Sequence, residues 1–369
     1  MKVGFCLQDD AMPRTAYWEL FLKAVKESDF YTEYDHEILI PFEDTAMETN
    51  WPRYGDHASA YIRGQLHDLS ENGQFRNYFA RIVSKAQATP DQKYLYINMN
   101  PFFRAPILLR RLRNVIVADV SLAMFERDIN CNTVSMPALP IISSRSASSD
   151  VRKILASFQG ANSHPIRDVL KHIADETSII VNLVERERYV GKIDAVNART
   201  DQNYEWLLQN SNFAFVPRGD ALFSYRLAEV MSFGCIPIIL SDGWVLPFDR
   251  ISAWEDFSLR VHADAVLRLP QILTAFTSKE IFSRRKRTLS AYEQRFANLD
   301  SMVAGLMAEV EILSRLPQRN FDPQENFTSD FGSGSDLTAP TAAFASQLDN
   351  VFDEQEWDAL LEYYEGVRR

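Results

Sequence analysis

Cysteine is scarce in this 369-residue chain, with only Cys6, Cys131 and Cys235 present. Three scattered cysteines exclude a disulfide framework and a CxxC metal site, and they fit small apolar core residues in a reducing compartment. Long apolar runs are also missing. No stretch approaches the ~20 residues of a membrane span, and the apolar start of the chain meets Asp9 and Asp10 too soon for a signal-peptide core. These absences predict a soluble, cytoplasmic protein with no membrane span. There is no GxGxxG, no P-loop and no internal repeat. Positive charge is outnumbered: 39 Lys and Arg stand against 50 Asp and Glu, a net of −11. Such a balance is a poor match to a nucleic-acid binder, which needs a surface that neutralises phosphate. The deficit is uneven, because residues 321–369 carry 11 acidic side chains and only Arg368 and Arg369 against them.

What the chain does have is core-forming material. Hydrophobic residues make up 46% and aromatics 12%, which excludes general disorder, and the length suggests two domains. Residues 3–7 read as a first buried strand, 16–26 as a helix, and 37–40, 94–97 and 115–120 as further strands. Residues 134–140, with Pro137 and Pro140, read as an extended crossing segment, and the serine-rich run 143–149 as the boundary. A second series follows, with strands at 153–158, 178–183, 213–216 and 236–240 and helices near 166–174, 204–208 and 225–233. Alternation of this kind implies parallel βαβ units. A long helical stretch, open to a break, covers 279–316. Residues 317–345 are rich in Pro, Gly, Ser, Asn and Asp and predict a linker. It leads to an acidic helix with Trp357, Leu360, Leu361 and Tyr364 on one face, suited to docking on the body or to binding a partner.

The window 211–248 carries the chemistry. A buried strand runs into Pro217-Arg218-Gly219, where Gly219 permits a sharp turn and Arg218 offers a planar cationic fork suited to phosphate. Ser224 is placed to cap a helix starting near Tyr225, whose free N–H groups form an anion site. Arg226 adds charge in the first turn, and Glu229, three residues on, is within reach of hydroxyls. The next strand ends at Ser241-Asp242-Gly243, facing the same crevice. An anion site beside a polyol site describes a nucleotide diphosphate with its ribose. The plainer alternative is that Arg226 and Glu229 form an i,i+3 surface pair and the glycines serve only as turns.

These residues resemble the exostosin family of glycosyltransferases. The family pattern is approximately S-x-F-x-x-x-P-R-G, S-x-R-x-x-E, G/A-C-x-P-V/I and S-x-G-W-x-L-P-F. Ser211, Phe213, Pro217-Arg218-Gly219, Ser224, Arg226, Glu229, Cys235, Pro237 and residues 241–248 stand in it. Trp254 and residues 269–273 continue the likeness. Upstream, Ser28, Phe30 and Thr32 are similar to an S-x-F-x-T segment, Arg152 to Gly160 to an R…F-x-G strand, and Arg167 to a helix arginine. The tail from Pro317 is not covered.

The resemblance implies an α/β, GT-B architecture: two Rossmann-like domains facing across a cleft, with a C-terminal acidic tail and helix. Its divisions would be an acceptor-side domain at 1–145, a nucleotide-sugar domain at 150–316, and a linker with the acidic helix at 317–369. It further implies an inverting transferase that moves a sugar from a UDP-sugar to a hydroxyl of a glycan acceptor, with no cofactor and no metal. Arg218, Gly219, Ser224, Tyr225, Arg226, Glu229, Ser241, Asp242 and Gly243 would bind the nucleotide-sugar. Inversion needs one general base. The candidates are Asp10 with its neighbour Asp9, His57, and Glu126 with nearby Asp128.

Other features carry less. Arg284-Arg285-Lys286-Arg287 fits a solvated helix face better than a glycan or membrane patch. Arg110, Arg111 and Arg113 fit a helix end or an acceptor-side patch, and Trp51 and Trp244 are open to sugar stacking or core packing. Association with other glycosyltransferases is an expected partnership. A catalytically silent partner or scaffold subunit is the alternative function, and an epimerase-like sugar-nucleotide enzyme a third.

Overall fold

Strands buried on both faces read as unbroken apolar runs, and such strands build parallel sheets. Residues 115–119 (VIVAD) and 236–240 (IPIIL) are of this kind, and both are buried along their whole length. In the computed structural model each becomes part of a five-stranded parallel sheet. The structure describes residues 1–6, 16–41, 85–98, 112–124, 127, 132–138, 151–184, 202–219 and 221–316.

The first sheet has the order β1-β2-β3-β4-β5, with β1 Val3–Cys6, β2 Ile38–Pro41, β3 Lys93–Asn98, β4 Val115–Asp119 and β5 Thr133–Ser135. Helix α1 (Ala16–Glu27) follows β1 and buries Phe21, Leu22 and Val25. Part of the expected crossing segment is β5 itself: residues 133–135 pair in register with Val117, Ala118 and Asp119. Pro137 falls beyond the paired residues, so it costs the sheet no hydrogen bond, and Pro140 lies outside the described residues. The serine-rich boundary and the tail from residue 317 lie outside the described residues.

The second sheet has the order β10-β9-β8-β6-β7. Its strands are β6 Ile154–Ala161, β7 Ile179–Val184, β8 Ser211–Pro217, β9 Ile236–Leu240 and β10 Leu259–Arg260. The chain steps from β6 outward to β7 and then returns to β8 on the other side. The order therefore reverses between β6 and β8, and the carboxyl ends of those two strands flank the crevice where open α/β sheets hold ligands. Helix α2 (Pro165–Val169) follows β6, α3 (Gln202–Asn210) precedes β8, and α4 (Arg226–Ser232) links β8 to β9. A buried arginine braces this half. Arg152 donates to the carbonyls of Leu208, Ser211 and Phe233 and to Cys235 Sγ. Burial pushes the Cys235 thiol up, in keeping with an inert core cysteine.

The long helical stretch is broken, as its sequence allows. After α5 (Leu269–Thr274), α6 (Ser278–Arg295) opens on a Thr277–Glu280 capping box and α7 (Leu299–Arg315) on an Asn298–Ser301 box. Helix α7 returns to the first sheet, packing against α1 and β5, and Lys93 Nζ donates to the Ser314 carbonyl at 3.0 Å. The sheets also meet directly. Met124 N donates to Gly243 O at 2.7 Å, Val245 N to Leu122 O at 2.9 Å and Phe248 N to Ser135 O at 2.8 Å. One hydrophobic cluster runs through both halves. No helix among the described residues is long and apolar enough to cross a membrane.

Candidate active site

The reversal point between β6 and β8 gathers a compact polar cluster. Phe158 of β6 forms its floor, with the guanidinium carbon of Arg226 4.6 Å and that of Arg167 5.6 Å from its ring centre. Gly160 makes the first approach possible. A Cβ there would fall 2.0 Å from an Arg226 terminal nitrogen, so only glycine lets that side chain lie down on the strand.

Arg167 is buried, and three of its hydrogen bonds run to backbone. Its Nε donates to Arg218 O at 2.9 Å, one terminal nitrogen to Ala161 O at 2.7 Å and the other to Pro217 O at 3.3 Å. It thereby ties the end of β6 to the Pro217-Arg218-Gly219 turn. Arg218 N in turn donates to Leu240 O at 3.0 Å, and the Arg218 side chain is half buried. A Cβ on Gly219 would lie 3.2 Å from both Arg167 and Ser163 Oγ, which explains the small residue at this turn.

Helix α4 begins at Arg226. Its guanidinium lies against Phe158 and also against Tyr204, 5.0 Å from that ring centre. Among the described residues no hydrogen bond or ion pair uses its N–H donors. Glu229, one turn on, is 3% exposed. Its Oε2 accepts a hydrogen bond from the Tyr204 hydroxyl at 2.9 Å, and its Oε1 is enclosed with no partner among the described residues. The surface-pair reading of Arg226 and Glu229 therefore does not hold, since the carboxylate is buried and bonded to a tyrosine.

Ser224 does not cap α4. Tyr225 already has helical dihedrals (φ −54, ψ −29) and stands at the N-cap with no side-chain cap bond, which leaves Ser224 one residue too early. Its carbonyl instead accepts from Leu227 N at 3.1 Å. The Tyr225 ring packs edge-on against Phe223 at 4.8 Å.

Ser241, Asp242 and Gly243 divide differently. Ser241 is buried and its hydroxyl donates to Leu222 O at 2.8 Å, while Leu222 N donates to Ser121 Oγ at 3.2 Å. The loop before α4 is thus pinned between the two sheets. Asp242 turns toward the β10 side, accepting from Ala263 N at 3.2 Å with His262 Nε2 3.4 Å away. Gly243 takes φ +76 beside it. Through Arg167 and Phe158 the structure therefore brings the Arg218-Gly219 backbone to the strand on which Arg226 lies, with Glu229 one turn on; it uses Ser241 as a brace and turns Asp242 toward the β10 side. Asp9, Asp10, His57, Glu126, Asp128, Arg110, Arg111 and Trp51 lie outside the described residues.

The fold also decides two lesser features. Trp244 is 2% exposed and sits in the inter-sheet core, bridged to Ala123, so it offers no stacking face. The basic run on α6 divides: Lys286 and Arg287 are exposed, as a solvated face would have them, but Arg285 is buried and donates to Gly234 O, and Arg284 and Arg287 donate to Glu255 O and Asp256 O. Consecutive helical positions spread around the axis, which lets them reach different carbonyls. Sequence reasoning missed Tyr204 and carried Phe158 only as part of the R…F-x-G likeness. Each reads there as an ordinary core aromatic, and neither has a local link to residues 226 and 229.

Residues 106–276 match the Exostosin GT47 domain. Exostosin-1 of Drosophila melanogaster is 34% identical over 164 residues, 44% of this chain and 21% of that protein, so the chain spans about a fifth of the fly protein. The Exostosin-1 homolog of Caenorhabditis elegans is 25% identical over 307 residues, 76% of each chain. Among solved structures, a glycosyltransferase from Rickettsia africae ESF-5 is 10% identical, with a TM-score of 0.42 over 85% of this chain and 98% of that one. Over residues 106–276, which take in the second parallel α/β sheet, the chain is similar to the exostosin family of glycosyltransferases.

Proposed function

We propose that this chain is an inverting glycosyltransferase that moves a sugar from a UDP-sugar to a hydroxyl of a glycan acceptor. The observation that carries the reading is one helical turn at the reversal point. Arg226 presents N–H donors there, and Glu229 an acceptor oxygen, that have no partner among the described residues. A guanidinium matches a diphosphate and a carboxylate matches a vicinal diol, so the pair fits the two polar parts of a nucleoside diphosphate.

In this reading Arg226 and Arg218 take up the negative charge that grows on the leaving diphosphate, the kind of preorganised electrostatic stabilisation that lowers such barriers. A carboxylate or imidazole then takes the proton of the acceptor hydroxyl as it attacks the anomeric carbon, and the sugar–diphosphate bond breaks with inversion. Asp10, His57 and Glu126 are the candidates to be tested for that base. The two cationic side chains supply the counter-charge without a metal. An intact Arg226 and Glu229 favour this over a silent scaffold, which has no use for such a pair.

The test is thermal shift with UDP, GDP and a panel of UDP-sugars, each with and without EDTA. Stabilisation by UDP that survives EDTA and is lost in Arg226→Ala supports the reading. No stabilisation by any nucleotide sinks it. The anomeric configuration of the product, read by NMR, decides between inversion and retention.

A further inference from the structure

We infer that Tyr204 is a positioning residue that sets the diphosphate-facing and ribose-facing groups of the site from a single side chain. The inference rests on the proposed nucleotide-sugar reading and deepens it. Tyr204 is 5% exposed, on a helix that packs against β6 and β8, so its ring is fixed by the sheet that builds the crevice. Its hydroxyl has one proton to donate, and that proton goes to Glu229 Oε2 at 2.9 Å. A carboxylate held by one oxygen has its other oxygen aimed, and Oε1 is the atom left without a partner among the described residues.

The ring does a second job. With Phe158 it holds the Arg226 guanidinium through its aromatic faces, at 5.0 and 4.6 Å. A cation held over rings keeps its in-plane N–H groups for a planar acceptor, whereas one held by carbonyls, as Arg167 is, has spent them. Tyr204 therefore orients a donor fork and an acceptor oxygen at once, at a separation set by one turn of α4. The hydroxyl acts on the acceptor, and the ring acts on the fork.

Calorimetry on the full chain with UDP, 2′,3′-dideoxy-UDP and inorganic pyrophosphate separates the two jobs. Tyr204→Phe keeps the ring and is expected to weaken UDP about tenfold while leaving dideoxy-UDP and pyrophosphate unchanged. In a Glu229→Gln background the same change is expected to have no further effect. Tyr204→Leu is expected to weaken all three ligands, with Tyr204→Phe restoring pyrophosphate. Equal losses for all ligands in Tyr204→Phe, or additivity with Glu229→Gln, would show a merely structural residue and overturn the inference. UDP binding untouched by Tyr204→Phe overturns it while leaving the donor-site reading intact. A wild-type chain that binds no nucleotide removes both.

Discussion

Arg167 donates from Nε to the carbonyl of Arg218 at 2.9 Å, so one arginine of the crevice holds the backbone that presents another. Two further bonds, to Ala161 and Pro217, complete the clamp. Arg167→Ala leaves three carbonyls short of a charged donor. Urea denaturation is expected to show a loss of about 3 kcal/mol. Nucleotide affinity should fall with it, and Arg167→Lys should recover little, because an ammonium cannot span the same three acceptors.

Gly160→Ala is a subtler probe. The new methyl would meet chiefly the far end of Arg226, which can swing aside, and would sit 3.2 Å from the edge of the Phe158 ring, so stability should fall by no more than about 1 kcal/mol. Nucleotide binding is expected to weaken about tenfold as Arg226 leaves its place over Phe158. Paired denaturation and UDP titration check both halves. A variant with wild-type affinity would remove Arg226 from the ligand.

Asp175 Oδ1 accepts from the amides of Ser178 and Ile179, both at 2.7 Å, and of Thr177 at 3.0 Å. The bonds to the Ile179 and Thr177 amides hold its carboxyl well below the usual range. A depressed folded value means stability present above the unfolded value and lost as pH falls through the folded one. The wild type should therefore weaken below about pH 3.9, and Asp175→Asn should lack that acid leg. Denaturation midpoints between pH 2 and 6 test it.

Glu309 has the opposite sign. It is fully buried, accepting from Arg250 N at 2.7 Å and from the Arg250 guanidinium at 3.0 Å, and burial pushes its carboxyl up in spite of that partner. A raised folded value gives stability present below the unfolded value, about 4.3, and lost as pH rises through the folded one. Glu309→Gln should flatten that decline. Midpoints that fall equally in both proteins between pH 4 and 7 would assign the slope elsewhere.

The legible part of the site is the part written locally. Arg226 and Glu229 share one helical turn, and the Pro217-Arg218-Gly219 turn ends a recognisably buried strand, so spacing alone places them at one crevice. Tyr204 is not legible, because it meets residue 229 only after β8 has carried the chain out and back. Trp244 was open between stacking and core packing, and only part of the α6 run is solvated, for a related reason: composition shows an aromatic and a basic run, but which atoms they face depends on the other sheet and on nearby carbonyls. The Ser224 cap failed by one residue, within the usual latitude of helix ends. The two sheets were clear from their unbroken apolar runs, whereas β5 was hidden by its shortness and by the prolines that follow it in the sequence.

Helix α7, the last described element, completes the packing around α1, the first helix. A fragment cut at the compositional boundary would leave the first sheet without that cover. Residues far apart in the sequence thus close one core, and the first sheet reaches its final packing only when helix α7 is in place.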